Sequence, residues 1–152
     1  MSDEDVEILL VEDNPNDVEL MLHVFKSNRI SNRIRVVRDG SESLEFILCT
    51  GAYASRSLSD GPKLILLDLK LPKVDGLEVL KQIKSDPRSC TIPVVVLTSS
   101  HQDRDMVESY KYGVNSYICK PVDFVQFTEA ARMLGMYWLL LNQAPRPQAV
   151  VK

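Results

Sequence analysis

Short runs of consecutive apolar residues alternate along this chain with longer segments whose apolar positions recur every three or four residues, and the alternation repeats five times. A run that is apolar throughout suits a strand covered on both faces, whereas the longer recurrence suits a helix with one side on a core. Strands are predicted at 7–11, 34–37, 64–67, 94–97 and 116–119. Helices are predicted from Pro15 to about Ser27, after the Asp39-Gly40-Ser41 turn with Leu44, Ile47 and Leu48 inward, from Asp75-Gly76 to Ser85, from Asp103 to Tyr112, and from Asp123 to Leu141. Pro15 fits a first helical turn, Asp86-Pro87 disfavours further helix, and Gly113 offers a left-handed stop. Such regular βα alternation implies an α/β fold with an open parallel sheet. One domain is expected over 6–141, with a short tail over 142–152 that carries Pro145 and Pro147. The polar stretch from Gly51 to Pro62 is longer than most connections and is expected to be a mobile or family-specific insertion.

In an open parallel sheet the residues just past the carboxyl ends of the strands converge on one crevice. Four of the predicted strands end in a chemically pointed residue: ILLV in Glu12 and Asp13, LILL in Asp68, VVVL in Thr98 and SYIC in Lys120. Three carboxylates placed together repel one another unless a cation is present. Mg²⁺ suits such a set, because it prefers oxygen ligands and is commonly held by one or two carboxylates with phosphate oxygens. A hydroxyl and an ammonium would stabilise charge on a transferring phosphoryl group, with Asp68 as nucleophile forming an aspartyl phosphate. Taken singly, the residues have plainer readings. Glu12 and Asp13 could lie in a solvated loop with Asp13 or Asn14 as a helix cap, Thr98 could be a cap or strand former, and Lys120 a surface charge. The convergence of four matched strand ends favours the site.

Composition narrows the classes further. The chain has 152 residues, 45% hydrophobic and 26% charged, enough to bury a core. A net charge of -3 argues against a nucleic-acid-coating surface. No apolar stretch approaches the roughly 20 residues of a membrane span, and the acidic start is unlike a signal peptide, so a cytoplasmic location is expected. Cys49, Cys90 and Cys119 lack disulfide or zinc spacing and are expected to be reduced thiols; His23 and His101 lack a metal-binding pattern.

The pieces LLVEDNPND, LILLDLKLPKVDG, PVVVLTSS and SYICKP, in this order, resemble the CheY-like receiver domain of two-component response regulators over about Glu7 to Leu141. The resemblance implies a doubly wound, flavodoxin-like (βα)5 domain with strand order 2-1-3-4-5. It also implies phosphotransfer onto Asp68 from a sensor histidine kinase or a histidine phosphotransfer protein. Mg²⁺ would be held by Glu12, Asp13, Asp68 and the backbone carbonyl of Lys70. Thr98 and Lys120 would meet the phosphoryl oxygens, and Pro121 would follow a cis peptide. Thr98 would shift toward the phosphoryl group while Tyr117 turns from exposed to inward, so that helix four, strand five and helix five form the output surface. Lys70 and Ser100 sit where receiver domains vary to set the phosphate lifetime. The long loop and short tail are similar to small single-domain regulators paired with cyanobacterial phytochromes.

Helix five departs from an ordinary amphipathic pattern. From Met133 to Leu141 every residue except Gly135 is apolar, and Met136, Tyr137, Trp138, Leu140 and Leu141 span more than one face. The excess predicts a homodimer through helix four, strand five and helix five, the alternative being that the tail folds back to cover it. A phosphatase resembling the haloacid dehalogenase family would need a second acid where Lys70 stands. A receiver-shaped binding module that is never phosphorylated is the remaining rival, but none of the acids, the threonine or the lysine is missing. The expectation is a stand-alone receiver that catalyses only its own phosphorylation and dephosphorylation.

Overall fold

The computed structural model describes residues 6–28, 33–58, 61–121 and 123–142. Five parallel strands, β1 (Ile8–Val11), β2 (Ile34–Val37), β3 (Leu64–Leu67), β4 (Val94–Thr98) and β5 (Ser116–Cys119), form one sheet in the order 2-1-3-4-5. In this register Val11 lies beside both Val37 and Leu67, Leu67 beside Val96, and Thr98 beside Cys119, so all five strands end at the same edge of the sheet, β4 and β5 two residues beyond the other three. β4 runs one residue beyond its apolar stretch because Thr98 still pairs with Cys119.

Alternate strand residues feed two cores, as the period of two requires. Leu9, Val11, Ile65, Leu67, Val94 and Val96 pack with Phe46 and Ile47 of α2 (Gly40–Leu48) and with Val79, Leu80 and Ile83 of α3 (Gly76–Ser85). On the other face Ile8, Leu10, Leu64, Leu66, Val95 and Leu97 meet Val18, Met21, Val24 and Phe25 of α1 (Pro15–Ser27) and Phe127, Ala131 and Leu134 of α5 (Phe124–Gly135). The remaining helix, α4 (Asp103–Lys111), buries only Ser109 and leaves Met106, Val107 and Tyr110 open to solvent. Asn14, Asp39, Asp75 and Asp123 cap α1, α2, α3 and α5 through their side chains. No helix among the described residues is long and apolar enough to cross a membrane.

Of the stretch expected to be a mobile or family-specific insertion, the part directly after α2 is fastened to the core. A short 3-10 turn at Gly51–Tyr53 buries the Tyr53 ring edge-on to Phe46, at 5.0 Å between centroids. The Tyr53 hydroxyl donates to Glu42 at 2.6 Å and accepts from Arg35 at 2.9 Å. Arg56 is buried, its guanidinium 3.7 Å from the Phe46 ring centroid and bonded to the Phe46 carbonyl. Residues 59–60 of that stretch lie outside the described residues.

The last helix also differs from the expected continuous α-helix. Past Gly135 the backbone widens into a π-helical segment, Met136–Leu141. Trp138 turns onto the core face packed by α1 and α5, while Met133, Met136 and Tyr137 stay exposed. The side chains of Leu140 and Leu141, and all of 143–152, lie outside the described residues. The three cysteines form no disulfide among the described residues, and His23 and His101 face solvent.

Candidate functional site

The carboxyl ends of the strands surround a cleft of about 600 Å³ lined by Glu12, Asp13, Asn14, Asp17, Asp68, Lys70, Ser99 and Lys120, among others. Glu12 and Asp68 are buried at 3% and 6% exposure, since each follows a fully covered strand, whereas Asp13 faces solvent. One oxygen from each of these three carboxylates lies within 4.8 Å of the others, a spacing that fits a shared hard cation. Lys70, exposed at the mouth, directs its backbone N–H toward Asp68 Oδ1 at 3.4 Å.

Lys120 supplies the positive charge. Its Nζ donates to Glu12 Oε1 at 2.5 Å, to Asp17 Oδ2 at 2.7 Å and to Asp68 Oδ2 at 3.3 Å, and its side chain is only 8% exposed. Burial opposes the ammonium, but the bonds to Asp17 and Glu12 and the field of Asp68 outweigh it and hold the group above the ordinary lysine range. Burial pushes the Glu12 carboxyl up to about 7, helped by the neighbouring Asp68 charge and opposed by Lys120. The site is thus short of positive charge, which is the condition under which a divalent ion binds favourably.

The predicted residues do not all face the cleft. Glu12, Asp13, Asp68, Lys70 and Lys120 line it together, but Thr98 is fully buried and its Oγ1 accepts from the Ser100 N–H at 3.2 Å. Ser99 takes the lining position instead. Ser100, also buried, donates to Asp105 Oδ2 at 2.5 Å, and Cys119 Sγ donates to the Ser100 carbonyl at 3.4 Å. These bonds tie β4, α4 and β5 together just behind the cleft. Tyr117 packs with the core face that carries α2 and α3, and its hydroxyl is buried with no hydrogen-bond partner among the described residues. Burial raises the pKa of that hydroxyl.

Two points of the sequence reading change. No peptide among the described residues is cis, so Lys120–Pro121 is trans, the form an X–Pro bond favours unless its surroundings hold the other. Asp17 was not foreseen as a site residue. It is the last residue of the LLVEDNPND motif and falls at the third helical position of α1, where an acid is expected for the helix dipole alone. Its neighbour in space, 103 residues away, reveals its second role.

Comparison with known proteins agrees with this geometry. The profile of the response regulator receiver domain matches residues 8–132. The chain is 44% identical over 141 residues to the probable methanogenesis regulatory protein FilR2 of Methanothrix harundinacea, covering 92% of this chain and 88% of that protein. It is 41% identical over 132 residues to the response regulator Rcp1 of Synechocystis, covering 87% and 88%. The Mn²⁺-bound structure of Rcp1 superposes with a TM-score of 0.85 at 38% identity, over 92% of this chain and 99% of that one. The phosphorylated cyanobacterial phytochrome response regulator RcpA does so with a TM-score of 0.85 at 40% identity, over 92% and 98%. Receiver domains bind a divalent metal, and the acid cluster of this chain has the donors for one. A five-stranded sheet in the order 2-1-3-4-5, an acid cluster bridged by a lysine at its strand ends, and a family profile spanning most of the chain lead to one conclusion: this protein belongs to the response regulator receiver family of two-component signalling.

Proposed function

We propose that Asp68 is the phosphoacceptor of this receiver and that the phosphoryl group comes from a histidine kinase or a histidine phosphotransfer protein. The observation that carries the reading is the single ammonium of Lys120 set among the carboxylates of Glu12, Asp17 and Asp68, beside a cluster spaced for a cation. In the reaction an Asp68 oxygen attacks phosphorus as the phosphorus–nitrogen bond of a phosphohistidine breaks. The imidazole nitrogen keeps the electron pair and takes up a proton. Glu12, Asp13, Asp68 and the Lys70 carbonyl would hold Mg²⁺, whose charge, when bound, neutralises the phosphoryl oxygens. Lys120 orients another of these oxygens. Hydrolysis of the aspartyl phosphate resets the domain, so its only catalysis is of its own phosphorylation and dephosphorylation.

The Thr98 hydroxyl would leave the Ser100 amide to meet the phosphoryl group. That movement disturbs the bonds joining Ser100 to Asp105 and Cys119, and with them the packing of Tyr117. The signal would leave through α4, β5 and α5, where Met106, Val107, Tyr110, Met133, Met136 and Tyr137 are exposed, and the same face would form a homodimer. The likeness to RcpA supports a phytochrome-type kinase as partner; the domain would span 6–141 and act in the cytoplasm.

The test is intact-mass analysis after incubation with acetyl phosphate, with Mg²⁺ or with EDTA. The wild type is expected to gain one phosphoryl group only with Mg²⁺, and Asp68→Asn none. Uptake by Asp68→Asn at the wild-type rate would overturn the assignment, and no uptake by either protein would favour a binding module that is never phosphorylated.

A further inference from the structure

The Lys120 ammonium carries three hydrogens, and three carboxylates already use them. Its longest bond, 3.3 Å, is the one to Asp68, where a phosphoryl group would arrive; those to Glu12 and Asp17 are 2.5 and 2.7 Å. The Glu12 side chain is buried at 5% exposure, while that of Asp17 is 25% exposed. Of the two closer partners, Asp17 therefore exchanges a bond to Lys120 for one to water more readily.

The start of α1 explains why Asp17 is available. In a capping box the side chain at the third helical position, usually Glu or Gln, reaches back to the backbone N–H of the capping residue. Here that N–H, on Asn14, donates instead to Glu12 Oε2 at 3.2 Å. Asn14 Oδ1 in turn accepts from the Asn16 and Asp17 amides at 2.9 and 3.2 Å. The cap is complete without the Asp17 carboxylate, which turns into the cleft.

We propose that Asp17 is a positioning residue that holds the Lys120 ammonium before the phosphoryl group arrives and competes with that group for it. The inference rests on the assignment of Asp68 as phosphoacceptor. Asp17 keeps a buried cation partnered in the resting state, and it restrains capture of a tetrahedral anion on Asp68. Its removal would therefore strengthen anion binding.

Beryllium trifluoride, a tetrahedral mimic of a phosphoryl group on a carboxylate, is titrated in saturating Mg²⁺ by ¹⁹F NMR against wild type, Asp17→Asn and Asp17→Glu. Urea midpoints confirm that each variant is folded. Asp17→Asn removes the negative charge and leaves a neutral amide oxygen as a weaker competitor, and is expected to bind the beryllium trifluoride about three- to tenfold more tightly. Asp17→Glu keeps the charge and is expected to return toward the wild-type affinity. A merely structural contribution from Asp17 would weaken binding on removal, so the direction of the change separates the two roles. Asp17→Asn affinity equal to or below wild type overturns the inference, as does Asp17→Glu behaving like Asp17→Asn. A wild type that binds no fluoride while Asp68→Asn also binds none removes the phosphoacceptor assignment and this inference with it.

Discussion

Replacing Arg56 by methionine removes a guanidinium while keeping an unbranched stem in the same space. Arg56 is 6% exposed, with its charged plane 3.7 Å from the Phe46 ring centroid. It donates to the Phe46 carbonyl, which lies in the last turn of α2 where the helix supplies no N–H partner. A hydrogen bond from a charged donor is worth about 1.5–3 kcal/mol and a desolvated cation–π contact about 1–2 kcal/mol. Removing both, while methionine keeps packing on the ring and relieves the desolvation of the guanidinium, is expected to cost Arg56→Met about 2–4 kcal/mol. Urea unfolding followed by far-UV circular dichroism reads this directly. With a slope of about 2 kcal/mol per molar, the midpoint should fall by roughly 1–2 M. Arg56→Lys should recover little of the loss, since an ammonium lacks the planar face that lies on Phe46. A midpoint for Arg56→Met equal to or above wild type would refute the reasoning, because desolvation of the guanidinium would then outweigh its contacts.

Three further perturbations test other parts of the molecule. A Cβ at Gly76 would overlap the Asp68 carbonyl and the Leu69 Cα, so Gly76→Ala should lower stability by about 1–3 kcal/mol and slow phosphate uptake, as read by thermal unfolding and intact mass. Burial lowers the pKa of Lys84 to about 8, although its Nζ donates to the carbonyls of Cys90 and Ile92 at 3.1 and 2.8 Å. The folded state therefore sheds this proton before the unfolded chain, whose lysines titrate near about 10.4, and stability should rise through that window. Discounted for the partial exposure of the side chain, the gain is on the order of 1 kcal/mol, and a Lys84→Met variant whose melting temperature follows pH as the wild type does would contradict it. If α4 and α5 pair two copies, Val107→Asp, at a position 53% exposed, should leave the melting temperature near wild type while light scattering reports a monomer. A wild type that is already monomeric with and without beryllium trifluoride would refute the pairing.

The sheet was readable in the sequence because the central strands β1, β3 and β4 are buried on both faces and so contain unbroken apolar runs. The strand-end acids were readable for a related reason: a charged residue directly after such a run has only the carboxyl edge of the sheet to occupy, and Lys120 holds the same place after the half-buried β5. Asp17 was hidden because an acid in a first helical turn already has a local explanation. Tyr53 and Arg56 were hidden within a polar composition, where two anchors spaced three residues apart carry no periodic signal. Past Gly135 the run MYWLLL reads as continued helix, and nothing in its composition marks the change to π-helical spacing. Thr98 and Ser99 are adjacent hydroxyls, and only the strand pleat decides which of them faces the cleft.

Helix α4 buries one residue, Ser109, and is tied to the end of β4 through the bond from Ser100 to Asp105. Resistance to local opening follows the surface an element covers, so the amides of α4 should exchange with deuterated solvent well before those of α1, α3 or α5. An equilibrium between docked and loosened α4 needs little free energy to tip, on the order of one hydrogen bond. The segment that would report the state of Asp68 to a partner is therefore also the one the rest of the fold restrains least. If phosphorylation at the strand ends shifts α4, a binding protein that grips α4 would shift that chemistry by the same coupling.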